Sequence, residues 1–168
     1  MGSGLAESFA QVKHEIVLAE QTAGRTPGSV ALLAVSKTKP AALIAEAYRL
    51  GQRHFGENYV QEAVSKQQQL SAFNISWHFI GPIQSNKTKI IASHFAWVHS
   101  VDRLKIAQRL SEQRPAHLPA LNICLQVNIS GEASKSGIAL EELAELVDQV
   151  RQLPGLRLRG VMAIPEPE

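Results

Sequence analysis

The sequence predicts an α/β fold in which a parallel sheet is packed against helices. Short apolar runs typical of strands alternate along the chain with amphipathic segments of helical length, and such units join parallel strands by right-handed crossovers. The chain has 168 residues, 45% of them hydrophobic and 19% charged, which suffices for one domain with its own core. No internal repeat, low-complexity tract or linker indicates a second domain, so residues 1–168 are predicted to form one domain.

The first predicted element is an amphipathic helix ahead of the main fold. Six apolar residues recur at alternating steps of four and three, which places them on one helical face: Leu5, Phe9, Val12, Ile16, Ala19 and Ala23. Ser3 is a candidate N-cap and Gly24 a candidate stop. Residues 1–24 are therefore predicted to be an extra N-terminal helix.

After this helix, six strand-like runs alternate with five helical segments. The strand-like runs are bounded by turn residues, and the helical segments carry stop signals such as Gly51 and the Pro154–Gly155 pair. The predicted strands are 29–36, 53–57, 75–81, 96–101, 120–129 and 156–164. The predicted helices are 41–50, 59–70, 85–94, 102–113, with Asp102 as a candidate N-cap, and 140–153.

The strand count leaves two architectures open. A closed (β/α)8 barrel needs eight strands and typically about 250 residues, whereas this pattern supplies about six. The chain is either an open doubly wound sheet or a barrel that lacks its last two β/α units.

Composition disfavours several classes of function. The net charge of the chain is +2. Its Lys and Arg residues are scattered and are not clustered with aromatic residues, and this distribution disfavours nucleic-acid binding. No apolar stretch approaches the roughly 20 residues that span a bilayer, and no secretion signal is evident at the start. The single cysteine, Cys124, lies in an apolar run and is predicted to be a buried thiol in a reducing compartment. We expect a cytoplasmic protein, with a monomer as the default state.

Lys37 ends the first predicted strand. A buried lysine is costly unless it is paired or neutral, and partial burial with a second ammonium at Lys39 would favour the neutral amine that a Schiff base requires. The alternative is an ordinary lysine in a solvated turn before the helix that starts at Pro40. The local pattern slightly favours that alternative.

Other strand ends offer weaker candidates. In "FGENYVQEA", Glu57 or Asn58 could face a ligand, although Asn58 with Gln61 also fits a helix capping box. His78 is more often a satisfied core residue than a base.

Three further motifs contain candidate site residues. Ser85 and Asn86 open a helix whose amides could hold an anion or simply be capped, and the loop around Lys135 could cradle an anion. Met162 would be ordinary core in most proteins. Dispersed histidines without HExxH or paired CxxC disfavour a metal site, and the missing GxGxxG disfavours a dinucleotide.

As an ordered set, five motifs resemble the pyridoxal 5′-phosphate (PLP) homeostasis proteins of the YggS/PROSC type: "AVSKTKP", "FGENYVQEA", "WHFIGPIQSNK", "QVNISGEASKSGI" and "LRGVMAIP". The resemblance covers nearly the whole chain from the first helix onward. It implies an α/β (β/α)8 TIM-type barrel, related to the alanine racemase N-terminal domain, that carries PLP covalently as an aldimine on Lys37. It also implies a cofactor pocket with Asn58, His78, Ser85, Asn86, Lys135 and Met162 in or around it.

The same resemblance implies that two β/α units with the phosphate-binding residues lie beyond this chain. The domain is then C-terminally incomplete, and we expect a 168-residue product to retain the cofactor weakly or not at all.

The resemblance implies a role in PLP homeostasis and amino-acid balance rather than dedicated catalysis. PLP would exchange with small amines or amino acids, and PLP-dependent client enzymes are candidate partners. An amino-acid racemase is the alternative, but it needs a second acid/base on the opposite cofactor face, and Tyr48 and Tyr59 both fall in predicted helices. A third hypothesis is a cofactor-free Schiff-base aldolase using Lys37.

Overall fold

The computed structural model describes residues 4–131 and 136–167. Its helices are α1 (Leu5–Thr22), α2 (Ala41–Arg49), α3 (Val60–Gln69), α4 (Thr88–His94), α5 (Leu104–Gln113) and α6 (Leu143–Val150), with 3₁₀ turns at Ser85–Lys87 and Leu140–Glu142. Its strands are β1 (Ala34–Val35), β2 (His54–Glu57), β3 (Ser76–Phe79), β4 (Trp97–Val101), β5 (Leu121–Asn128), β6 (Ile138–Ala139) and β7 (Leu156–Met162). None of the helices in these ranges is long and apolar enough to cross a membrane.

All strand pairings among the described residues are parallel, which confirms the predicted fold class. The strands lie in the order β1-β2-β3-β4-β5-β7, and the short β6 pairs with the end of β5. This order follows the chain without the reversal that defines a doubly wound sheet. The sheet is therefore wound in one direction, as in a barrel.

The strand predicted at 29–36 is too long. Regular pairing is confined to Ala34–Val35, where Val35 lies opposite Gly56. The carbonyl oxygen of Leu32 instead accepts a hydrogen bond of 2.8 Å from the side-chain amide of Gln52. At Leu32 the side-chain amide of Gln52 therefore takes the place of a backbone donor, and regular strand pairing begins only at Ala34.

One face of the sheet carries the hydrophobic core. Phe79, Val98 and Ile123 from the central strands pack with residues of α3 to α6, and Phe55 packs with α2. Because side chains alternate along a strand, the other face carries the residues between them. We call this second surface the inner face; it includes His54, Gly56, His78, Trp97, His99, Asn122, Cys124 and Gln126.

Two predicted helix caps are wrong, and the third, Ser3, falls outside the described residues. Tyr59 holds the N-cap position of α3, so Asn58 and Gln61 form no capping box there. Arg103 holds the N-cap position of α5, and the carboxylate of Asp102 accepts a 3.2 Å bond from the amide of Gly137. Gly4 holds the N-cap position of α1, and Ser3 lies outside the described residues.

Candidate functional site

A cavity of about 870 Å³ opens at the carboxyl ends of β2 to β5. Its polar lining comes from strand ends and the segments behind them: Asn58, Ser100, Asp102, Arg103, Gln126, Asn128 and Ser136. Its apolar lining includes Ile80, Ile83 and Ile164 together with Pro82, Pro165 and Pro167. This edge of the sheet is where parallel β/α folds bind ligands.

Asn58 brings an unsatisfied hydrogen-bond acceptor to the cavity. Its Oδ1 atom is buried and has no partner among the described residues. A buried polar atom without a partner is costly unless a ligand or water satisfies it. Among the described members of the predicted set, Asn58 is the one that lines the cavity wall.

Gly81 holds the turn after β3 close to Asn58. A Cβ atom at position 81 would lie 2.5 Å from the backbone oxygen of Asn58, so only glycine fits. The hydroxyl of Ser100 donates a 2.5 Å hydrogen bond to the Gly81 carbonyl and ties β4 to the same turn. The ends of β2, β3 and β4 are thus fixed relative to one another.

Gly81→Ala is expected to lower the free energy of unfolding by about 1–3 kcal/mol, because a backbone atom has to move to admit the methyl group. Gln84→Ala, an exposed change in the same loop, is the control and is expected to stay within about 0.5 kcal/mol of wild type. Urea unfolding of the two variants measures both effects. Equal stability of the two variants would show that the Gly81–Asn58 approach is not constrained.

Lys37 lies at the end of β1, beside the strand that carries Asn58. Continuing the β1–β2 register from Val35 and Gly56 brings Lys37 level with Asn58, and alternation places it on the inner face. Lys37 is exposed and does not line the cavity formed by the described residues. The expected partial burial is not observed, because β1 is an edge strand with β2 as its described neighbour.

A buried ionic cluster lies behind this lysine, on the helix side of the sheet. The Lys66 ammonium contacts both carboxylate oxygens of Glu57, at 2.9 and 3.1 Å. It also contacts Oε1 of Glu62 at 2.6 Å. It also donates a 2.8 Å bond to the carbonyl of Ser36, whose hydroxyl donates to Glu57. We call Ser36, Glu57, Glu62 and Lys66 the Lys66 cluster.

The Lys66 cluster corrects the expectation for Glu57 and also affects Glu62. Glu57 has no exposed surface and faces the helices, so it does not present its carboxylate to a ligand as the motif had suggested. The hydrogen bond from Lys66 lowers the pKa of Glu62, so Glu62 stays ionised into acidic solution.

Three histidines from neighbouring strands form a chain on the inner face. Nε2 of His78 lies 2.9 Å from Nδ1 of His54, and Nδ1 of His78 lies 2.8 Å from Nε2 of His99. The His78 ring also stacks on Trp97 with centroids 5.2 Å apart. The predicted satisfied core histidine therefore has both ring nitrogens engaged, and it does not line the cavity.

Burial, reinforced by the charges of His99 and His54, lowers the pKa of His78 from 6.5 to about 3. An unfolded chain binds a proton at this histidine below about pH 6.5, but the native state does not bind it until about pH 3. The free energy of unfolding should therefore fall as pH decreases across this window, by at most about 1.4 kcal/mol per pH unit for this group.

His78→Gln should flatten this pH dependence, because the variant lacks the titrating ring. His117→Gln, at an exposed histidine, is the control and should keep the wild-type slope. Urea unfolding at a series of pH values measures both slopes. An unchanged slope in His78→Gln would contradict the assignment of a neutral, buried His78.

The predicted burial of Cys124 is confirmed. Cys124 is buried on the inner face, and burial raises the pKa of its thiol against the opposing effect of Arg159. Arg159 on β7 reaches across the same face, with its guanidinium carbon 5.0 Å from the centre of the Trp97 ring.

Of the other predicted site residues, Ser85, Asn86 and Met162 are close in sequence to residues that line the cavity but do not line it themselves. Ser85 and Asn86 form the 3₁₀ turn shortly after the lining residue Ile83, and the Ser85 carbonyl accepts a bond from Thr88. Met162 ends β7 opposite Gln126, ahead of the lining residue Ile164. Lys135 lies outside the described residues.

Several residues of the cavity were missed from sequence. Gln126 and Asn128 occupy alternate positions of a mostly apolar strand, and this spacing was a usable signal for one polar face. Ser100 and Asp102 carried no comparable signal for a site, because their placement depends on how neighbouring strand ends meet, whereas Ser136 belongs to the loop around Lys135 that was named as a candidate anion cradle.

Comparison with known proteins gives the class of this fold. A model of the alanine racemase N-terminal domain matches residues 8–166. With the order of the strands, this match assigns the sheet to that domain's barrel, of which the chain covers a part.

Individual relatives show which family within this fold class the chain resembles. The pyridoxal phosphate homeostasis protein of Pseudomonas aeruginosa is 67% identical over 165 residues, covering 98% of this chain and 72% of that protein. The protein of the same name from Escherichia coli K12 is 58% identical and covers 98% of this chain and 71% of its own length. The solved structure of PipY from Synechococcus elongatus with PLP bound is 40% identical, with a TM-score of 0.77, covering 88% of this chain and 68% of PipY.

The chain belongs to the pyridoxal phosphate homeostasis protein family, as the ordered motifs had indicated.

Proposed function

We propose that the protein binds PLP as an aldimine on Lys37 and serves in cytoplasmic PLP homeostasis and amino-acid balance. The observation that carries the proposal is the position of Lys37, at a strand end level with Asn58, which lines a large cavity with both polar and apolar residues. The PLP-bound structure of the 40% identical PipY supports the choice of ligand.

The residues present fit such a ligand. Oδ1 of Asn58 is a buried acceptor without a described partner, and it can take a hydrogen bond from a ligand hydroxyl or protonated nitrogen. Arg103 supplies a positive charge at the cavity lining, and Ile80 and Ile83 supply apolar surface for a planar ring. When bound, PLP supplies an aldehyde that condenses reversibly with amines.

The role of Lys37 in this proposal is to supply the amine that holds the aldehyde. Free amines and amino acids compete with Lys37 for the same carbonyl, so binding by the lysine is reversible. Release to PLP-dependent client enzymes follows the same exchange. We propose that a monomer performs this storage and carriage without a dedicated catalytic activity.

A racemase remains the alternative function. It requires a second acid/base facing the cofactor, yet neither described tyrosine lines the cavity. The Tyr48 hydroxyl accepts a 3.2 Å bond from the amide of Asn74 on the helix side, and Tyr59 is an exposed residue at the start of α3. The geometry therefore favours carriage over racemisation.

Spectroscopy separates the candidate functions. The full-length gene product should turn yellow with PLP, and borohydride should bleach the band and leave a covalent adduct. Sustained entry of solvent deuterium at the α position of an amino acid would favour the racemase instead. Borohydride trapping of a carbonyl substrate without PLP would favour an aldolase.

A further inference from the structure

The turn that follows Lys37 adopts an unusual backbone conformation. Thr38 has φ of 64°, the one positive φ among the described non-glycine residues. A residue with a branched Cβ avoids this left-handed region, and such a residue persists there only when its surroundings hold it.

Glu62 on α3 provides the contact that holds this turn. Its Oε1 atom accepts a 2.5 Å hydrogen bond from the backbone amide of Thr38. The same oxygen lies 2.6 Å from the Lys66 ammonium, which in turn contacts Glu57. The carboxylate of Glu62 is therefore fixed from the helix side while it binds the turn.

The residue before Lys37 is held by the same cluster. The Ser36 carbonyl accepts bonds from the Lys66 ammonium at 2.8 Å and from the Lys39 amide at 3.1 Å, and the Ser36 amide donates to Gly56. Both neighbours of Lys37 are thus anchored to α3 and β2, whereas Lys37 itself is exposed.

We propose that Glu62 is a positioning residue for Lys37: its carboxylate holds Thr38 in the left-handed conformation and so fixes the direction in which the Lys37 side chain leaves the sheet. This inference rests on the proposed function of Lys37. Glu62 does not line the cavity and its described hydrogen bonds go to Thr38 and Lys66, so its effect on the Lys37 side chain passes through the backbone of residues 36–38.

Glu62→Ala tests the proposal, because Glu62 is partly exposed and its loss leaves the Lys66–Glu57 pair in place. Glu62→Gln keeps a carbonyl oxygen for the Thr38 amide and is the rescue variant. Gln61→Ala, an exposed change on the same helix, is the matched control.

Two measurements on the full-length protein give separate answers. Hydrogen exchange of the Thr38 amide without ligand measures the turn, and the rate of borohydride-trapped PLP adduct formation at Lys37 measures its consequence. We expect at least tenfold faster exchange and several-fold slower trapping in Glu62→Ala, with wild-type values in Gln61→Ala and intermediate values in Glu62→Gln.

The outcomes separate the two proposals. Wild-type exchange in Glu62→Ala would overturn the contact with Thr38, and faster exchange with unchanged trapping would overturn the positioning role while leaving the proposed function intact. Absence of any adduct in the wild type would overturn both.

Discussion

Lys37→Ala is expected to abolish the visible absorption that the full-length protein gains with PLP, because the variant lacks the amine on which the proposed aldimine forms. The borohydride adduct should disappear with the colour. Lys89→Ala removes an exposed lysine from α4 and is the matched control, which should keep the wild-type spectrum.

The thermal stability of Lys37→Ala should remain close to that of the wild type, because Lys37 is exposed and surface substitutions usually change stability by about 0.5 kcal/mol or less. Loss of the visible absorption would then show that the amine needed for the proposed aldimine is missing, and not that the protein has unfolded. A Lys37→Ala protein that still turns yellow and still traps an adduct would refute the assignment of the lysine.

Lys66→Met is expected to cause the largest loss of stability, about 3–5 kcal/mol, because it leaves the carboxylate of Glu57 buried without its partner. Glu57 has no exposed surface, and the Lys66 side chain is only 6% exposed, so water cannot replace the lost contact. Urea unfolding of the purified variant measures the effect.

The double variant Glu57→Gln, Lys66→Met supplies the internal control. It removes the uncompensated charge and should be more stable than Lys66→Met alone, although the Ser36 carbonyl still loses a donor. If the double variant is less stable than the single variant, the destabilisation does not arise from an unpaired Glu57.

The order of elements could be predicted because it depends on local patterns. Apolar runs bounded by turn residues placed β2 to β5 and β7 within one or two residues at each end in most cases. β1 was predicted too long because the amide of Gln52, a residue of another segment, satisfies the Leu32 carbonyl. No pattern inside residues 29–36 contains that information.

The residues of the candidate site also fall into those that local patterns predicted and those that they did not. Lys37 and Asn58 were named from strand ends, since a parallel sheet brings those ends to one edge. From the sequence, a helix cap was the favoured role of Asn58, and only the start of α3 at Val60 shows that it does not serve as one.

The contacts that support the site could not be predicted. The spacing of Glu62 and Lys66 allows a pair on one helix, but the buried partner Glu57 comes from β2. The histidine chain likewise joins three strands, so each ring looked isolated in the sequence.

The most direct test of the proposed function is to treat the full-length protein with PLP, reduce it with borohydride and map the modified peptide by mass spectrometry. We expect the phosphopyridoxyl group on Lys37, in near-stoichiometric amount, with the other lysines unmodified. A modification spread over several surface lysines, or one confined to a lysine other than Lys37, would contradict the proposed site.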